Sequence, residues 1–582
     1  MLNCEPQNLL QEIERAETFR DHHRASVKDL VEGYHGGAFR DDRGSGSEDH
    51  ENHAYEYISL VLPRIIFDNP RVQVDTALPA TQEVIAKAIE HGLNKRVRNV
   101  KLRQLLVRIA ADMFFGWGVG ITTQRPLPGT DPRKSSGPRV PSWDTISTSR
   151  FVFDPLCMFF GHARFAGHKW VRDLEDIAKD PSFDAKAVKG LATDAGLDEL
   201  DRPDSKDGGP TRKEVVGYDI WVPEQYEDVK DHPGPDAGFH GSIYTIAVAQ
   251  TSDGDEKKTA YIREPRPFYG PARGPYALFG VYPVPDSPFP LSPLKATALQ
   301  SNELNAHLHA AMNSAKSYKR LALVDAGNPD LVQSIKNQPD TFVVPVRGLA
   351  KNQVQVIEVG GASQQQYDYI AMARDRLDRN SGINDAHRGN LDQDTTATAV
   401  ATAEEALASR EAFIKQQFSD AVIQMMEAGA WYLYHDERSV FPLGGEAAKD
   451  LDMAEPWFYG GVQPGEEDMR FEDLELQIEP LSMERVNEAL LQKRAQDNIE
   501  LALNAGPIIP ETPWVNWSLL FERMGDAQNS RDFDQVIDVE MAQQVHAERQ
   551  AQEQAEAAMQ SGGTGALGNQ TGGQLAAAGR VA

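Results

Sequence analysis

Hydrophobic positions along the chain fall into blocks that switch between helical and strand periodicity. Residues 5 to 35 carry a helical pattern, and the Gly, Asp and Ser-rich stretch from Gly36 to Asp49 has the composition of an exposed loop. Ala54 to Phe67 predicts a helix that stops at Asn69-Pro70, because the residue before a proline is held out of the helical region, and Val72 to Val74 follows as a strand. Further helices are predicted over Thr81 to Val97 and Leu102 to Phe115. After Gly116-Trp117-Gly118-Val119-Gly120 the period changes. Val215 to Val222, Ile243 to Gln250 and Thr259 to Arg263 are β-branched and aromatic runs, with the hairpin signal Asp253-Gly254 between the last two. This predicts an α+β region containing a meander.

From Ser292 the pattern is helical again. Leu304, Leu308, Ala311, Met312 and Ala315 form one stripe of a helix reaching about Tyr318, roughly 35 to 40 Å long. Short strands are predicted at Leu321 to Val324, Phe342 to Val346 and Val354 to Val359, around a small helix at Asp330 to Lys336. A returning helix, Gln364 to Arg379, has the stripe Tyr367, Ile370, Ala371 and Leu377 and stops at Asn380-Ser381-Gly382. A polar loop, Ile383 to Thr395, leads to a very long helix, capped by Asp394 or Thr396. Its seam repeats every seven residues at Val400, Leu407, Ile414, Ala421 and Ala428, flanked by Phe418 and Met425, up to about Tyr434. Phe471 to Ile478 reads as a strand, and Ser482 caps a helix running to Asn504. An Ala, Gln and Glu-rich helix is predicted over 533–559, and a flexible tail from Ser561.

Composition narrows the function. The chain has 582 residues, enough for several packed units or one multilayer fold, and 59 Lys and Arg against 87 Asp and Glu give a net charge of −28. Such a chain repels polyanions at long range, which argues against a DNA reader working through a broad basic face. The two cysteines, Cys4 and Cys157, offer no disulfide framework and no thiolate metal cluster. Acids stand near the N-terminus where a signal peptide needs a basic stretch, and Arg103, Arg108 and Asp112 interrupt the most apolar stretch, so neither export nor a membrane span is expected. The Walker A, HExxH, GxSxG and CxxC patterns are missing, and the GxGxxG match at Gly563 to Gly568 has no strand before it. His22, His23, His35, His50 and His53 lack ligand spacing and read as solvated loop residues. Asp392 and Asp394 resemble the start of a calcium loop, but Ala397 stands where such a loop needs glycine, so helix capping is the better reading. Gly116, Gly118 and Gly120 follow a helix instead of opening one, which favours close backbone packing over phosphate binding. No catalytic residue, metal or cofactor is predicted. Residues 292–396 hold eleven Lys and Arg and eleven Asp and Glu, so this stretch is neutral and the rest of the chain carries the whole −28. A neutral arm could meet a polyanion without repulsion and without tight holding, though mixed charge is also the ordinary composition of a solvated or subunit-facing surface.

The order long helix, small αβ insert, returning helix, polar loop and very long helix resembles the portal proteins of tailed bacteriophages, the ring-shaped head-to-tail connectors. Ser381-Gly382-Ile383-Asn384-Asp385-Ala386-His387-Arg388-Gly389 followed by Thr396-Ala397-Thr398-Ala399 is similar to the turn and helix start of that family. So are Tyr57 to Val74, with its Asn-Pro end, Phe151-Val152-Phe153-Asp154-Pro155 with Ala163-Arg164-Phe165, Pro290-Leu291-Ser292-Pro293-Leu294, and Glu479-Pro480-Leu481-Ser482-Met483. The resemblance spans roughly residues 54 to 525; the insert Pro181 to Gly209 and the chain after Ser530 match nothing in it.

The resemblance implies an α+β portal fold. It would comprise an α/β wing (1–290 and returning strands 436–481), a two-helix stem (291–320 and 362–382), a clip (321–361), a tunnel loop (383–395), a long tunnel helix (396–435), a crown-like helical region (482–560) and a tail (561–582). It further implies a homo-oligomeric ring of roughly a dozen subunits around a channel for double-stranded DNA at one capsid vertex, assembled in the bacterial cytoplasm. Partners would be the major capsid protein, a scaffolding protein, the terminase large subunit and a head-tail adaptor, with ATP hydrolysis left to the terminase. Channel candidates are Asp385, His387, Arg388, Asn390 and Asp392 in the loop and Lys316, Lys319, Arg374 and Arg376 on the stem; Lys336, Arg347 and Lys351 would face the terminase or adaptor. Arg388 is open between a transient phosphate contact and an intersubunit ion pair. Another virion assembly protein, or a soluble enzyme with an unfamiliar site, are the competing classes.

Overall fold

The computed structural model describes residues 2–35, 51–66, 68–76, 80–127, 137–191, 213–226, 238–249, 258–325, 341–346, 354–359, 361–383, 397–443, 447, 451, 457–461, 470–478 and 482–483. All lie in one compact unit, Met1–Arg485; Val486–Ala582 form a second. The architecture mixes helix and sheet.

Helices α1 (Pro6–Tyr34) and α2 (His53–Ile65) lead to strand β1 (Val72–Thr76), then α3 (Ala80–Val100) and α4 (Leu102–Phe115). Next come β2 (Trp117–Pro126), β3 (Arg139–Thr145), β4 (Phe151–Phe153) and β5 (Ala166–Asp173), followed by the short helices α5 (Leu174–Lys179) and α6 (Ala185–Val188). Strands β6 (Glu214–Val222), β7 (Phe239–Ala249), β8 (Lys258–Tyr269), β9 (Tyr276–Gly280), β10 (Tyr282–Val284) and β11 (Ser287–Leu291) precede α7 (Pro293–Lys316). The chain continues through β12 (Lys319–Asp325), β13 (Thr341–Val346) and β14 (Val354–Val359) to α8 (Gln364–Ser381) and α9 (Ala397–His435). The last described strands are β15 (Val440–Pro442), β16 (Trp457–Tyr459) and β17 (Leu474–Ile478).

The expected meander is a five-stranded antiparallel sheet in the order β4-β5-β6-β7-β8. One face takes Leu9, Leu10 and Ile13 of α1 against Phe165, Ile220, Val222 and Ile246. The other receives Ile177 of α5 and Val188 of α6 beside Trp170 and Val215. A larger core joins α2, α3, α4 and α9 to the sheet β3-β2-β9, with Ile89, Leu106, Phe114, Phe279, Phe418 and Leu433 almost fully buried. The predicted strand near Val72 pairs with the one near Leu474, so a segment late in the chain closes onto an early one.

Several boundaries moved for physical reasons. β8 runs past Arg263 through Pro265 and Pro267 to Tyr269, which is tolerated because β8 is the edge strand of its sheet and its outer N–H positions have no partner to lose. The Asp-Pro segment near residue 154 is an ion-pair clamp: Arg164 Nε donates to Asp154 Oδ2 at 2.6 Å and Nη2 to Oδ1 at 3.2 Å. Burial alone would push the Asp154 carboxyl up, but Arg164 and the Leu156 amide outweigh it and hold it below the ordinary range. The histidines are not all solvated as expected. His23 stacks on Phe289 at 4.9 Å and lies beside Trp117, and burial, helped by Lys295 and His22, lowers its pKa.

Close backbone packing accounts for two of the three glycines after α4. A Cβ on Gly118 would stand 2.4 Å from the Ile109 carbonyl oxygen, and one on Gly120 would meet Met425 Sδ at the same distance, whereas Gly116 has free space. Gly118→Ala is therefore expected to destabilise by about 2 kcal/mol. Gly33→Ala, within α1 and with nothing near its Cβ, should gain about 0.5 kcal/mol. Thermal melting of both variants checks this pair, and equal shifts would refute the close-approach reading.

Candidate functional site

The feature with the clearest functional geometry is the two-helix arm of α7 and α8, tipped by a small sheet. Ser292 caps α7, accepting from Lys295 N at 3.2 Å, while its hydroxyl donates to the Phe114 carbonyl at 2.5 Å and so ties the arm to α4. α8 opens with a capping box, in which Ser363 Oγ accepts from Gln366 N and Gln366 Oε1 accepts from Ser363 N. It closes at Gly382, whose φ of 80° is left-handed as the Asn-Ser-Gly stop predicts. At the tip, β12 lies between β13, parallel to it, and β14, antiparallel to it. The expected small helix at 330–336 lies outside the described residues.

Leu304 and Ala311 of α7 bury against Ile370, Ala373 and Leu377 of α8, with Leu308 partly covered. The sequence stripes were wider than this contact. Ala373 takes the place expected for Ala371, and Ala315, Met312 and Tyr367 face outward. Leu299 is 82 % exposed, Tyr367 53 %, Met372 42 % and Met312 40 %, so large apolar side chains remain uncovered on more than one side of the arm. A stripe read from sequence cannot distinguish a face buried within one chain from a face left for another.

The root of the arm is a polar junction that the sequence did not suggest. Asn305 of α7 exchanges hydrogen bonds with the Glu51 backbone, accepting at 3.0 Å and donating at 3.3 Å. The Glu51 carboxylate pairs with Arg374 of α8 and lies 3.4 Å from His53 Nε2, while His53 Nδ1 is 3.2 Å from Glu56. Arg410 of α9 donates to the carbonyls of Arg379 and Asn380, at 3.1 and 3.4 Å, close to the end of α8. Burial would lower the His53 pKa, but the two carboxylates reverse this and raise it to about 9; His53, with burial opposing and Arg374 assisting, holds Glu51 below its ordinary value. A cavity of about 120 Å³ sits here, lined by Asn52, His53, Asn302, Asn305, Asp378 and Ser381 among others. The local pair His53 and Glu56, one helical turn apart, was detectable from spacing; the contacts of Glu51 with Asn305 and Arg374 link segments more than 250 residues apart and were not.

Of the predicted stem cations, Lys316 lies exposed in the last turn of α7, where a positive charge suits the helix dipole. Lys319 begins β12 opposite Val359, and Arg376 is exposed on α8. Arg374 is held in the junction by Glu51. The loop candidates Asp385, His387, Arg388, Asn390 and Asp392 and the tip candidates Lys336, Arg347 and Lys351 lie outside the described residues. Among the described residues no group of His, Cys, Asp and Glu is arranged to hold a metal ion, and no helix is long and apolar enough to cross a membrane. No protein-family model matches the chain, and no curated protein matches it.

The raised His53 pKa fixes the sign of a pH effect. Its folded value of about 9 exceeds the ordinary 6.5, so the protonated form is favoured by folding. Its contribution, about 3 kcal/mol, is complete below about pH 6.5 and lost as pH rises through 9. Melting temperature should therefore fall more steeply between pH 6.5 and 9 in the native chain than in His53→Gln, as scanning fluorimetry across that range would register. Parallel profiles would contradict it.

Proposed function

We propose that this chain is the subunit of a tailed-phage portal, a ring of roughly a dozen copies through which double-stranded DNA enters and leaves the capsid. The observation that carries this reading is the arm: two packed helices joined through a small three-stranded sheet, followed after a short connection by a 39-residue helix that runs into the core. The uncovered apolar residues Leu299, Met312, Tyr367 and Met372 support it, because each subunit of a closed head-to-tail assembly has a neighbour on both sides to bury such residues.

In this reading the arms line the channel, and their neutral balance lets a polyanion pass without being repelled or trapped. Lys316 and Arg376 are exposed cations of the arm, and the loop after Ile383 would sit near the narrowest point. The tip would meet the terminase large subunit and later the head-tail adaptor. The five-stranded sheet with α1, α5 and α6 would face the major capsid protein, and a scaffolding protein would assist closure during assembly in the bacterial cytoplasm. The chain itself catalyses no reaction in this account; it supplies a shaped passage in the virion.

The test places charge at two of the uncovered positions. Leu299→Glu combined with Met312→Glu should leave circular dichroism and melting temperature nearly unchanged, since both side chains are exposed, while sedimentation velocity shows large rings replaced by single chains. Rings that persist at the same concentration would mean that neither residue lies in the subunit interface.

A further inference from the structure

A second cleft lies away from the arm, between the turn Pro271–Pro275, the α9 face Gln424–Trp431 and the segment Phe471–Leu476. Its volume is about 410 Å³. Phe471 gives it partly exposed aromatic surface backed by the buried Trp431 and Tyr276, and Glu427 and Glu472 bring two carboxylates to its lining. The walls are held in place. Gly274 adopts φ 81° where a Cβ would press within 2.6 Å of the Trp221 ring, its N–H donates to Pro271 O at 2.9 Å, and Pro275 O accepts from Thr122 N at 2.8 Å. Trp221 Nε1 in turn donates to the His240 carbonyl at 3.0 Å, and His435 stacks on Trp431 at 4.3 Å.

The charges within the cleft are poorly matched. Arg273 sits 3.5 Å from Glu427, but its side chain is 73 % exposed, so it holds that carboxylate only loosely. Burial raises the Glu427 pKa and Arg273 offsets this only in part. A planar cation entering from outside could form a two-pronged contact with the carboxylate while lying against aromatic surface, both of which favour guanidinium over ammonium. We infer that this cleft binds an arginine side chain carried on an extended basic segment of a partner protein, with Arg273 acting as the internal group that the incoming guanidinium displaces. This site stands independently of the ring reading, since none of its residues belongs to the arm. Charge complementarity selects the occupant: the chain carries −28 overall, and the cleft brings Glu427 and Glu472 into one lining with the partly exposed Phe471.

The experiment uses the full chain and the peptide Gly-Arg-Gly-Arg-Gly-amide carrying fluorescein on its N-terminal amine, with binding read by anisotropy at 0.15 M salt. A strongly acidic protein attracts any basic peptide, so each variant is matched in charge to a distant one. Glu427→Gln should weaken binding about tenfold, while Glu83→Gln on the exposed face of α3 changes it less than about twofold. Arg273→Ala should tighten binding about threefold by removing the competitor, while Arg125→Ala, which alters net charge equally at an exposed pair with Asp144, leaves it unchanged. Replacing both peptide arginines with citrulline should abolish binding. Equal effects within either matched pair, retained binding of the citrulline peptide, or no binding by the native chain would overturn the assignment. Should Glu427→Gln fail to fold, the Arg273 and Arg125 pair decides alone, because both side chains are exposed.

Discussion

The long helix α9 is buried against the sheet β3-β2-β9 and helices α2 and α3, and the rest of the described structure is positioned by that burial. Ile414, Phe418, Ala421, Val422, Met425 and Met426 lose nearly all solvent contact along it. The Met425 carbonyl accepts from Trp143 Nε1 at 2.9 Å, so the sheet grips the helix by a polar contact as well as by apolar area. Each of the larger buried side chains contributes roughly 2 to 3 kcal/mol, so this seam is a substantial part of the larger core. Gly120 is the geometric condition: without a side chain there, β2 can approach Met425 closely enough for the seam to close.

The arm is a lighter structure hung from that core. Its two helices share a narrow apolar contact, and its attachments are mostly polar: Ser292 to α4, Asn305 and Arg374 to Glu51, and Arg410 of α9 to the end of α8. Hydrogen bonds and ion pairs contribute about 1 kcal/mol each, so the arm depends on several of them acting together and on whatever covers its outer face. His53 connects this junction to pH, because its charge holds two carboxylates that would otherwise repel one another. In the portal reading, assembly would complete what the single chain leaves unfinished.

Much of this was legible in the sequence where local rules dominate. The span of α4, the arm helices with their Ser and Gly ends, and the three tip strands follow from periodicity and capping chemistry, and the heptad spacing of α9 announced its buried seam at Ile414, Ala421 and Ala428, while the side chains of Val400 and Leu407 lie outside the described ones. Strands β2, β3, β5 and β9 did not announce themselves. β2 is rich in glycine for packing reasons, and β5 carries His168, Lys169 and Arg172 among its apolar residues, so neither shows the alternation of a half-buried strand. The junction at Glu51 and the cleft at Glu427 were invisible for a different reason: each is assembled from segments distant in sequence, and a single acidic residue in a chain with 87 of them carries no signal. The long-range pairing of β1 with β17 is of the same kind.

The central claim is a closed ring, and direct imaging of the purified full chain by negative-stain electron microscopy tests it without intermediates. The account predicts end-on rings with roughly twelve-fold symmetry and an opening wide enough for a DNA duplex. Single chains at every concentration, with or without a scaffolding partner, would contradict it.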